Sequence, residues 1–171
     1  AIAEDTQGHI WIGTFRGLNK NNVHDYHQYF CTDDSLGLPD NQITHLLRDS
    51  KNRFWVGTVN GVCLYTDKDN FRIIPIEADN KNVRQILEDR NGRIFLSTGF
   101  QLYAYHPREE KITCVLPEIC TGNTFYAQCH IAPDNNLWVM TSTGLRCYDP
   151  STLQLKESVA LSGYPYYSYL H

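Results

Sequence analysis

The sequence has no long apolar run, no basic cluster and no closely spaced cysteine pair. No stretch approaches the roughly 18 consecutive apolar residues of a membrane-spanning helix. The formal net charge is −4 at pH 7, and the lysines and arginines form no run. Nucleic-acid binding is therefore not expected, because neutralising phosphates requires a concentrated basic surface. The absence of any C-x-x-C spacing argues against a zinc motif.

The cysteines lie at positions 31, 63, 114, 120, 129 and 147. All except Cys120 fall in apolar, strand-like patterns, which favours small buried side chains. An even number would also permit disulfides in an oxidising compartment, with Cys120 and Cys129 as one candidate pair. The cysteines therefore do not fix the cellular compartment.

The chain starts at Ala1-Ile2, without an initiator methionine, a signal peptide or a low-complexity tail. We expect it to be a segment of a longer protein, with any targeting signal lying in the flanking sequence.

One phrase occurs four times along the chain. It consists of an apolar strand, a polar turn and a second strand that carries an aromatic residue. The aromatic residues are Trp11, Trp55, Phe95 and Trp138, with spacings of 44, 40 and 43 residues. Repeats of about 40–45 residues built from short strands are typical of β-propellers, whose blades are four-stranded antiparallel sheets. The sequence therefore predicts an all-β fold of about four blades that forms a segment of a larger propeller.

The turns between strands predict the limits of the blades. We predict blade one at residues 1–35, without its first strand, blade two at 36–78, blade three at 79–119 and blade four at 120–162. Blade two illustrates the pattern, with strands at Ile43–Arg48, Phe54–Thr58, Val62–Thr66 and Phe71–Ile76. Residues 163–171 are predicted to form the first strand of a further blade. The chain would then either close as a four-bladed ring or associate with itself through unpaired edge strands.

The recurring residues have a structural interpretation. Asp5, Asp49 and Asp89 begin the turn in three copies, and their carboxylates can accept backbone N–H groups within it. In the fourth copy the acidic residue has moved two places along the turn. The four aromatic side chains are expected to fill the space between blades. Roles for the aspartates as calcium ligands or catalytic acids are less favoured alternatives, since residues that recur in every blade are usually architectural.

The second copy strongly resembles the two-component-regulator propeller repeat. The resemblance rests on Leu38-Pro39-Asp40-Asn41-Gln42-Ile43, on Asp49, on Phe54-Trp55-Val56-Gly57-Thr58 and on Gly61-Val62. The first copy matches similarly. The third has Phe95 and Ser97 in place of the tryptophan and the glycine, and the fourth has Met140 in place of the glycine.

The resemblance implies a piece of the periplasmic sensor region of a hybrid two-component histidine kinase and response regulator. Such inner-membrane receptors detect glycan fragments in gut anaerobes and signal through a phosphorelay. The kinase parts of that family are not found in this chain, and no phosphoacceptor histidine or receiver aspartate can be assigned.

In propellers, the loops between blades and the loops between second and third strands share one face, which we call the loop face. The residues predicted to bind a ligand there are Arg16, Asp40, Asn41, Asn60, Asn80, Phe100 and Tyr126. Aromatic rings beside asparagine and arginine donors suit an oligosaccharide, through stacking and hydrogen bonding. The same residues also suit ordinary solvated turns, and the sequence leaves that alternative open.

The sequence and the resemblance together favour a non-catalytic sensor segment without a cofactor or a metal site. Its expected partners are an oligosaccharide or another small ligand and a second protomer, with membrane contact only through the parent chain. Two alternatives stay open. One is a propeller enzyme of the streptogramin-lyase type, which would use Mg²⁺ with His45 or His130. The other is a propeller that binds only proteins. No Ser-His-Asp or Cys-His constellation can be assigned from sequence order.

Overall fold

In the part of the chain that the structure describes, β-strands form four separate antiparallel sheets. The computed structural model describes residues 1–22, 25–31, 37–66, 69–99, 101–116, 128–141 and 144–160. Across these ranges, no helix has the length and hydropathy that crossing a membrane requires.

Each sheet contains four strands that are adjacent in chain order. The strands of sheet one are β1 (Ile2–Glu4), β2 (Ile10–Thr14), β3 (Gly17–Asn21) and β4 (Tyr26–Tyr29); those of sheet two are β5 (Ile43–Arg48), β6 (Phe54–Thr58), β7 (Gly61–Thr66) and β8 (Asn70–Ile74); those of sheet three are β9 (Val83–Glu88), β10 (Ile94–Thr98), β11 (Gln101–His106) and β12 (Lys111–Leu116); those of sheet four are β13 (Cys129–Ile131), β14 (Leu137–Thr141), β15 (Gly144–Tyr148) and β16 (Leu155–Ala160). This succession of meanders confirms the predicted fold class, with each sheet as one blade.

The prediction that blade one lacks its first strand is wrong. β1 pairs with β2 in antiparallel register, and Ala3 lies opposite Trp11. Three residues suffice for this strand because the next turn, closed by the Asp5 N–H donating to the His9 carbonyl at 3.1 Å, returns the chain directly into β2. Sheet one therefore has four strands of its own. The strand predicted at residues 163–171 lies outside the described residues.

The last strand of the second blade ends earlier than predicted. β8 stops at Ile74, two residues before the predicted end, and Pro75 follows without an N–H to continue the ladder. The Ile112 N–H donates to the Pro75 carbonyl at 3.1 Å, and Ile76 forms a single parallel bridge with Ile112. The connection between sheets two and three thus runs beside the outer strand of sheet three.

The hydrophobic core lies between the sheets, as the repeats predict. The cluster between sheets one and two includes Trp11, Leu18, Leu46, Phe54 and Val56. The cluster between sheets two and three includes Trp55, Leu64, Ile86, Ile94 and Leu96. The cluster between sheets three and four includes Phe95, Leu102, Leu137, Val139 and Tyr148. The first strands of neighbouring sheets contact one another, since β5 contacts β1 and β9, and β9 contacts β13.

A close approach between sheets explains the glycine of the repeated second strand. A Cβ atom on Gly57 would lie 2.8 Å from Val83 Cγ1 in the first strand of the next sheet. Gly13 would meet Ile43 of sheet two in the same way, with its Cβ 2.8 Å from the Ile43 Cβ. In sheet three this position is Ser97, which is 1% exposed, and its hydroxyl has no hydrogen-bond partner among the described residues.

The cysteine predictions are partly correct. Cys63, Cys129 and Cys147 are buried, as the apolar patterns predict. The prediction is wrong for Cys31 and Cys114, which are exposed. Both belong to outer edges of sheets, where an apolar pattern no longer implies a neighbouring layer: Cys31 follows β4, and Cys114 lies in β12. Cys120 lies outside the described residues.

Candidate functional site

The aspartate turn organises one end of each of the first three sheets. In sheet two, the Asp49 carboxylate accepts the backbone N–H groups of Lys51 and Arg53 at 3.0 and 2.9 Å. It also accepts the Trp55 indole N–H at 2.8 Å and the Arg53 Nε–H at 2.6 Å. The Asp49 side chain is fully buried. The carboxylate therefore has its hydrogen-bonding capacity filled by the protein.

Sheet one repeats this arrangement with a histidine in place of the arginine. Asp5 accepts the N–H groups of Gln7 and His9 at 2.9 and 3.0 Å, and the Trp11 indole N–H at 2.8 Å. The His9 Nδ1 lies 2.9 Å from Asp5 Oδ2. Burial acts to raise the Asp5 pKa, but the hydrogen bonds from Trp11, His9 and Gln7 outweigh it, so that the pKa is lowered.

The other two sheets show how the motif varies. Asp89 accepts the Asn91 and Arg93 N–H groups, both at 2.9 Å. Its Oδ2 is contacted by Arg93 Nε at 2.7 Å and Arg93 Nη2 at 2.6 Å, in a sheet where Phe95 provides no indole N–H. In sheet four, the position of the aspartate is Ala132. Asp134, two residues later, accepts the Asn136 N–H at 3.0 Å. Trp138 in β14 is half-buried, and it lies opposite His130 of β13 in the antiparallel register.

Aromatic rings and cations join consecutive sheets at this same end. Trp11 of sheet one meets Tyr65 of sheet two edge to face, with ring centroids 4.7 Å apart, and Lys20 Nζ lies 5.2 and 5.1 Å from the two rings. Trp55 of sheet two meets Tyr105 of sheet three at 4.9 Å. Arg53 lies 5.1 and 5.2 Å from those two rings. Such cation–π contacts stabilise the junctions between sheets.

The loop face lies at the opposite end of the strands. The Gly17 N–H, at the start of β3 directly after the loop from β2, donates to the Asn41 carbonyl at 2.8 Å. The Val59 N–H donates to the Gln42 carbonyl at 3.2 Å. Asn80 lies beside Gly99, since a Cβ on that glycine would be 3.0 Å from the Asn80 amide nitrogen. The structure therefore places the two sets of loops side by side.

The predicted residues of the loop face differ in whether their side chains already form hydrogen bonds within the protein. Asp40 Oδ1 accepts the Gln42 N–H at 2.7 Å, and Asn80 Oδ1 accepts the Asn82 N–H at 2.9 Å. Asn41 Oδ1 accepts the Cys31 N–H at 2.7 Å. Arg16 and Asn60 are exposed. Asp40, Asn41 and Asn80 thus each use one side-chain oxygen to stabilise the connection in which they lie. Arg16 and Asn60 face solvent.

The aromatic residues predicted for this face, Phe100 and Tyr126, lie outside the described residues. Phe15, next to Arg16, is 82% exposed and provides an aromatic ring on the described part of the loop face. A flat ring beside a guanidinium is suited to stacking against a sugar.

The two histidines of the enzyme alternative have different environments. Burial lowers the pKa of His45, the nearby N-terminal ammonium acts in the same direction, and a hydrogen bond with the Ile86 backbone opposes both. His130 is exposed. Within the described ranges, no group of three or more His, Cys, Asp or Glu side chains is arranged to hold a metal ion.

A concave region lies between sheets one and two, at the end opposite the loop face. It encloses about 330 Å³, and we call it the inter-sheet groove. Its lining residues are Asp5, Thr6, Gln7, Lys20, Arg48, Asn52, Phe54, Tyr65 and Asp69. The sequence did not predict this groove, because its lining residues come from turns and strand ends of two blades. The recurrence of the aspartate turn, which places Gln7 and Asn52 in matching turns of neighbouring sheets, is the signal that could have indicated it.

Comparison with known proteins supports the relationship suggested by the motifs. Residues 1–16 and 37–60 match the family model of the two component regulator propeller. No curated protein sequence matches this chain.

Solved structures match nearly the whole chain. The extracellular domain assigned to a hybrid two-component system of B. thetaiotaomicron is 25% identical, with a TM-score of 0.73 over 94% of this chain. A second extracellular domain of this kind from the same organism is 23% identical, with a TM-score of 0.75 over 94% of this chain. The chain spans 22% of the length of each of these domains.

Propeller enzymes share the fold as well. Virginiamycin B lyase from Staphylococcus aureus is 16% identical, with a TM-score of 0.69, over 94% of this chain and 55% of the lyase. At this identity the similarity concerns the fold.

Proposed function

This chain carries the two-component regulator propeller repeat, and we propose on that basis that it is a ligand-sensing segment of a hybrid two-component receptor. The observation that carries the proposal is the agreement between the repeat motif and the structural similarity to extracellular domains of such systems. Those domains are extracellular, which supports a periplasmic location for this segment, as part of an inner-membrane protein.

The proposed ligand is an oligosaccharide that binds at the loop face. Phe15 and Arg16 of one loop provide an exposed ring and a guanidinium, and the neighbouring connection brings Asn41 against Gly17. Asn60 adds an exposed amide from the next sheet. Stacking combined with amide and guanidinium hydrogen bonds is the chemistry that recognises sugar rings.

We propose that the segment itself is not catalytic. The acidic residues that recur in the sheets are engaged by the protein, since Asp49 and Asp89 each accept backbone N–H groups and an arginine. Signalling would instead follow from a change in dimer geometry, which requires that the ligand bind the two receptor states with different affinity.

The test is kinase activity of the full parent receptor in membrane vesicles, measured with a panel of oligosaccharides. At least one is expected to change autophosphorylation, and the Arg16→Ala/Asn60→Ala variant is expected to lose that response. Lys51→Ala, an exposed change at the opposite end of the sheets, is the matched control. A receptor whose output none of the sugars changes would contradict the proposal. Mg²⁺-dependent turnover that is lost in His45→Ala or His130→Ala would instead favour the lyase alternative.

A further inference from the structure

We infer that the inter-sheet groove is a second binding site, which accepts a small neutral polyhydroxylated molecule of the saccharide class. This site is separate from the loop face and does not depend on the proposed function. The groove lies at the opposite end of the strands, and its volume of about 330 Å³ falls within the range of about 300–1,000 Å³ typical of small-molecule sites.

One wall of the groove is rigidly organised. The Lys20 side chain is only 13% exposed, and its Nζ donates to the Tyr65 hydroxyl at 3.1 Å. The hydroxyls of Tyr29 and Tyr65 both donate to Asp69 Oδ1 at 2.7 Å. These hydrogen bonds lower the Asp69 pKa and keep the carboxylate ionised at neutral pH. Asp69 is about half exposed, so its second oxygen can accept a further hydrogen bond.

The opposite side carries polar groups whose capacity is unused. The side chains of Gln7, Arg48 and Asn52 line the groove and form no hydrogen bond or ion pair with any residue that the structure describes. Two amides and one guanidinium therefore present both donors and acceptors to the cavity. Asn52 is held in place by its own turn, where it adopts a φ of 60° and donates its N–H to the Asp49 carbonyl.

The balance of charge decides the class of ligand. Lys20 and Arg48 contribute two positive charges, while Asp5 and Asp69 contribute two negative charges, so the lining has no net charge. An anion would meet the carboxylates, and an apolar molecule would leave the polar lining unpaired at a cost in free energy. Hydroxyl groups both donate and accept, which fits a lining of mixed donors and acceptors.

The experiment is ¹H–¹⁵N correlation spectroscopy of this chain during titration with three neutral disaccharides, maltose, lactose and sucrose. We expect at least one to shift the backbone amide signals of Gln7 and Asn52. The Arg48→Ala and Asn52→Gly variants are expected to weaken that binding at least about tenfold, because each removes ligand hydrogen bonds. Glycine is chosen at position 52 because it tolerates the positive φ. Arg16→Ala, at the loop face, is the matched control and should leave groove binding unchanged.

The outcomes separate this inference from the proposed function. Shifts confined to the Arg16 and Asn60 amides would overturn the groove site and leave the loop-face proposal standing. The absence of shifts at Gln7 and Asn52 with all three sugars would overturn it too. Glucuronate and γ-aminobutyrate serve as anionic and zwitterionic probes, and a response at the groove to these alone would contradict the neutral class. Binding that survives both Arg48→Ala and Asn52→Gly would contradict the assignment of these side chains.

Discussion

The indole nitrogen of Trp55 donates to the buried carboxylate of Asp49, six residues earlier in the chain, at 2.8 Å. The same bond joins Trp11 to Asp5 at 2.8 Å. Because the other side of each ring packs against the next sheet, a single residue pair connects the turn of one blade to the interface with its neighbour. Changes to this pair should therefore affect the stability of the whole segment.

Replacement of Asp49 by alanine is expected to lower the free energy of unfolding by about 3 kcal/mol. The change leaves the Trp55 indole N–H and the Arg53 guanidinium without their acceptor, and it removes the carboxylate that closes the turn. Urea denaturation followed by far-UV circular dichroism measures the difference. Asp134→Ala is the matched control and should cost less than about 1 kcal/mol, because Asp134 is exposed and bonds only to Asn136 among its described partners. Equal effects of the two variants would contradict this account of the turn.

Two substitutions of Trp55 separate its hydrogen bond from its packing. Trp55→Ala should cost about 3–5 kcal/mol, since the side chain is fully buried between sheets two and three. Trp55→Phe keeps a ring there, as Phe95 does in sheet three, and should cost about 1–2 kcal/mol through the lost indole bond and volume. Denaturant titration of both variants tests this order. A phenylalanine variant as unstable as the alanine variant would show that the hydrogen bond outweighs the packing.

The close approach of sheets predicts opposite effects at two equivalent positions. Gly57→Ala should destabilise the fold by about 1–3 kcal/mol, because its new Cβ would lie 2.8 Å from Val83 Cγ1. Ser97→Ala should stabilise it by about 1 kcal/mol, because it removes a buried hydroxyl that has no partner among the described residues. Melting temperatures and denaturant midpoints of the two variants show whether each substitution raises or lowers the stability. A stabilising Gly57→Ala or a destabilising Ser97→Ala would refute this explanation.

The lowered pKa of Asp5 predicts a dependence of stability on pH. A carboxyl whose folded pKa lies below its usual 3.8 contributes stability above that value and loses it as pH falls through the folded pKa. The stability difference between wild type and Asp5→Asn should therefore be largest near neutral pH and shrink below about pH 4. Urea midpoints at neutral pH and at pH 3 measure it. A constant difference would mean that the Asp5 charge does not contribute.

The outer face of sheet one predicts self-association of this chain. Ile2, Ile10 and Ile12 are 73%, 40% and 37% exposed, whereas the equivalent residues of sheet two, Leu46, Phe54 and Val56, are at most 7% exposed. Covering this face with a second protomer would bury apolar surface. Ile12→Lys should therefore lower the apparent mass in sedimentation velocity. The matched control is Ile73→Lys, which alters an isoleucine of similar exposure in β8. A wild-type chain that sediments as a monomer at high concentration would contradict the prediction.

The sequence predicted the fold because its signal is repetitive. Four spaced aromatic residues, each next to a polar turn, identify the blades without knowledge of any long-range contact. Strands β5 and β6 begin and end where the pattern predicts. The first strand was missed because three residues at the chain start provide too short an alternation to recognise.

The inter-sheet groove and the cation–π contacts between sheets could not be predicted in the same way. Lys20 and Tyr65 are 45 residues apart, and only the stacking of sheet one on sheet two brings their side chains together. The cation that contacts the repeated aromatic ring also comes from different positions in different blades. In sheet one it is Lys20 of β3, which contacts Trp11. In sheets two and three it is an arginine of the turn, Arg53 or Arg93. Specific contacts between blades depend on such local exchanges, which periodicity does not encode.

The most direct test of the central claim, that this chain is a segment of a membrane-bound sensor, is the size and location of the native polypeptide. An antibody against this segment would be used on separated membrane and soluble fractions. The account predicts a membrane-associated band several times larger than the 19.7 kDa of this chain. A soluble product of about that size would contradict it and would redirect attention to an enzymatic or protein-binding propeller.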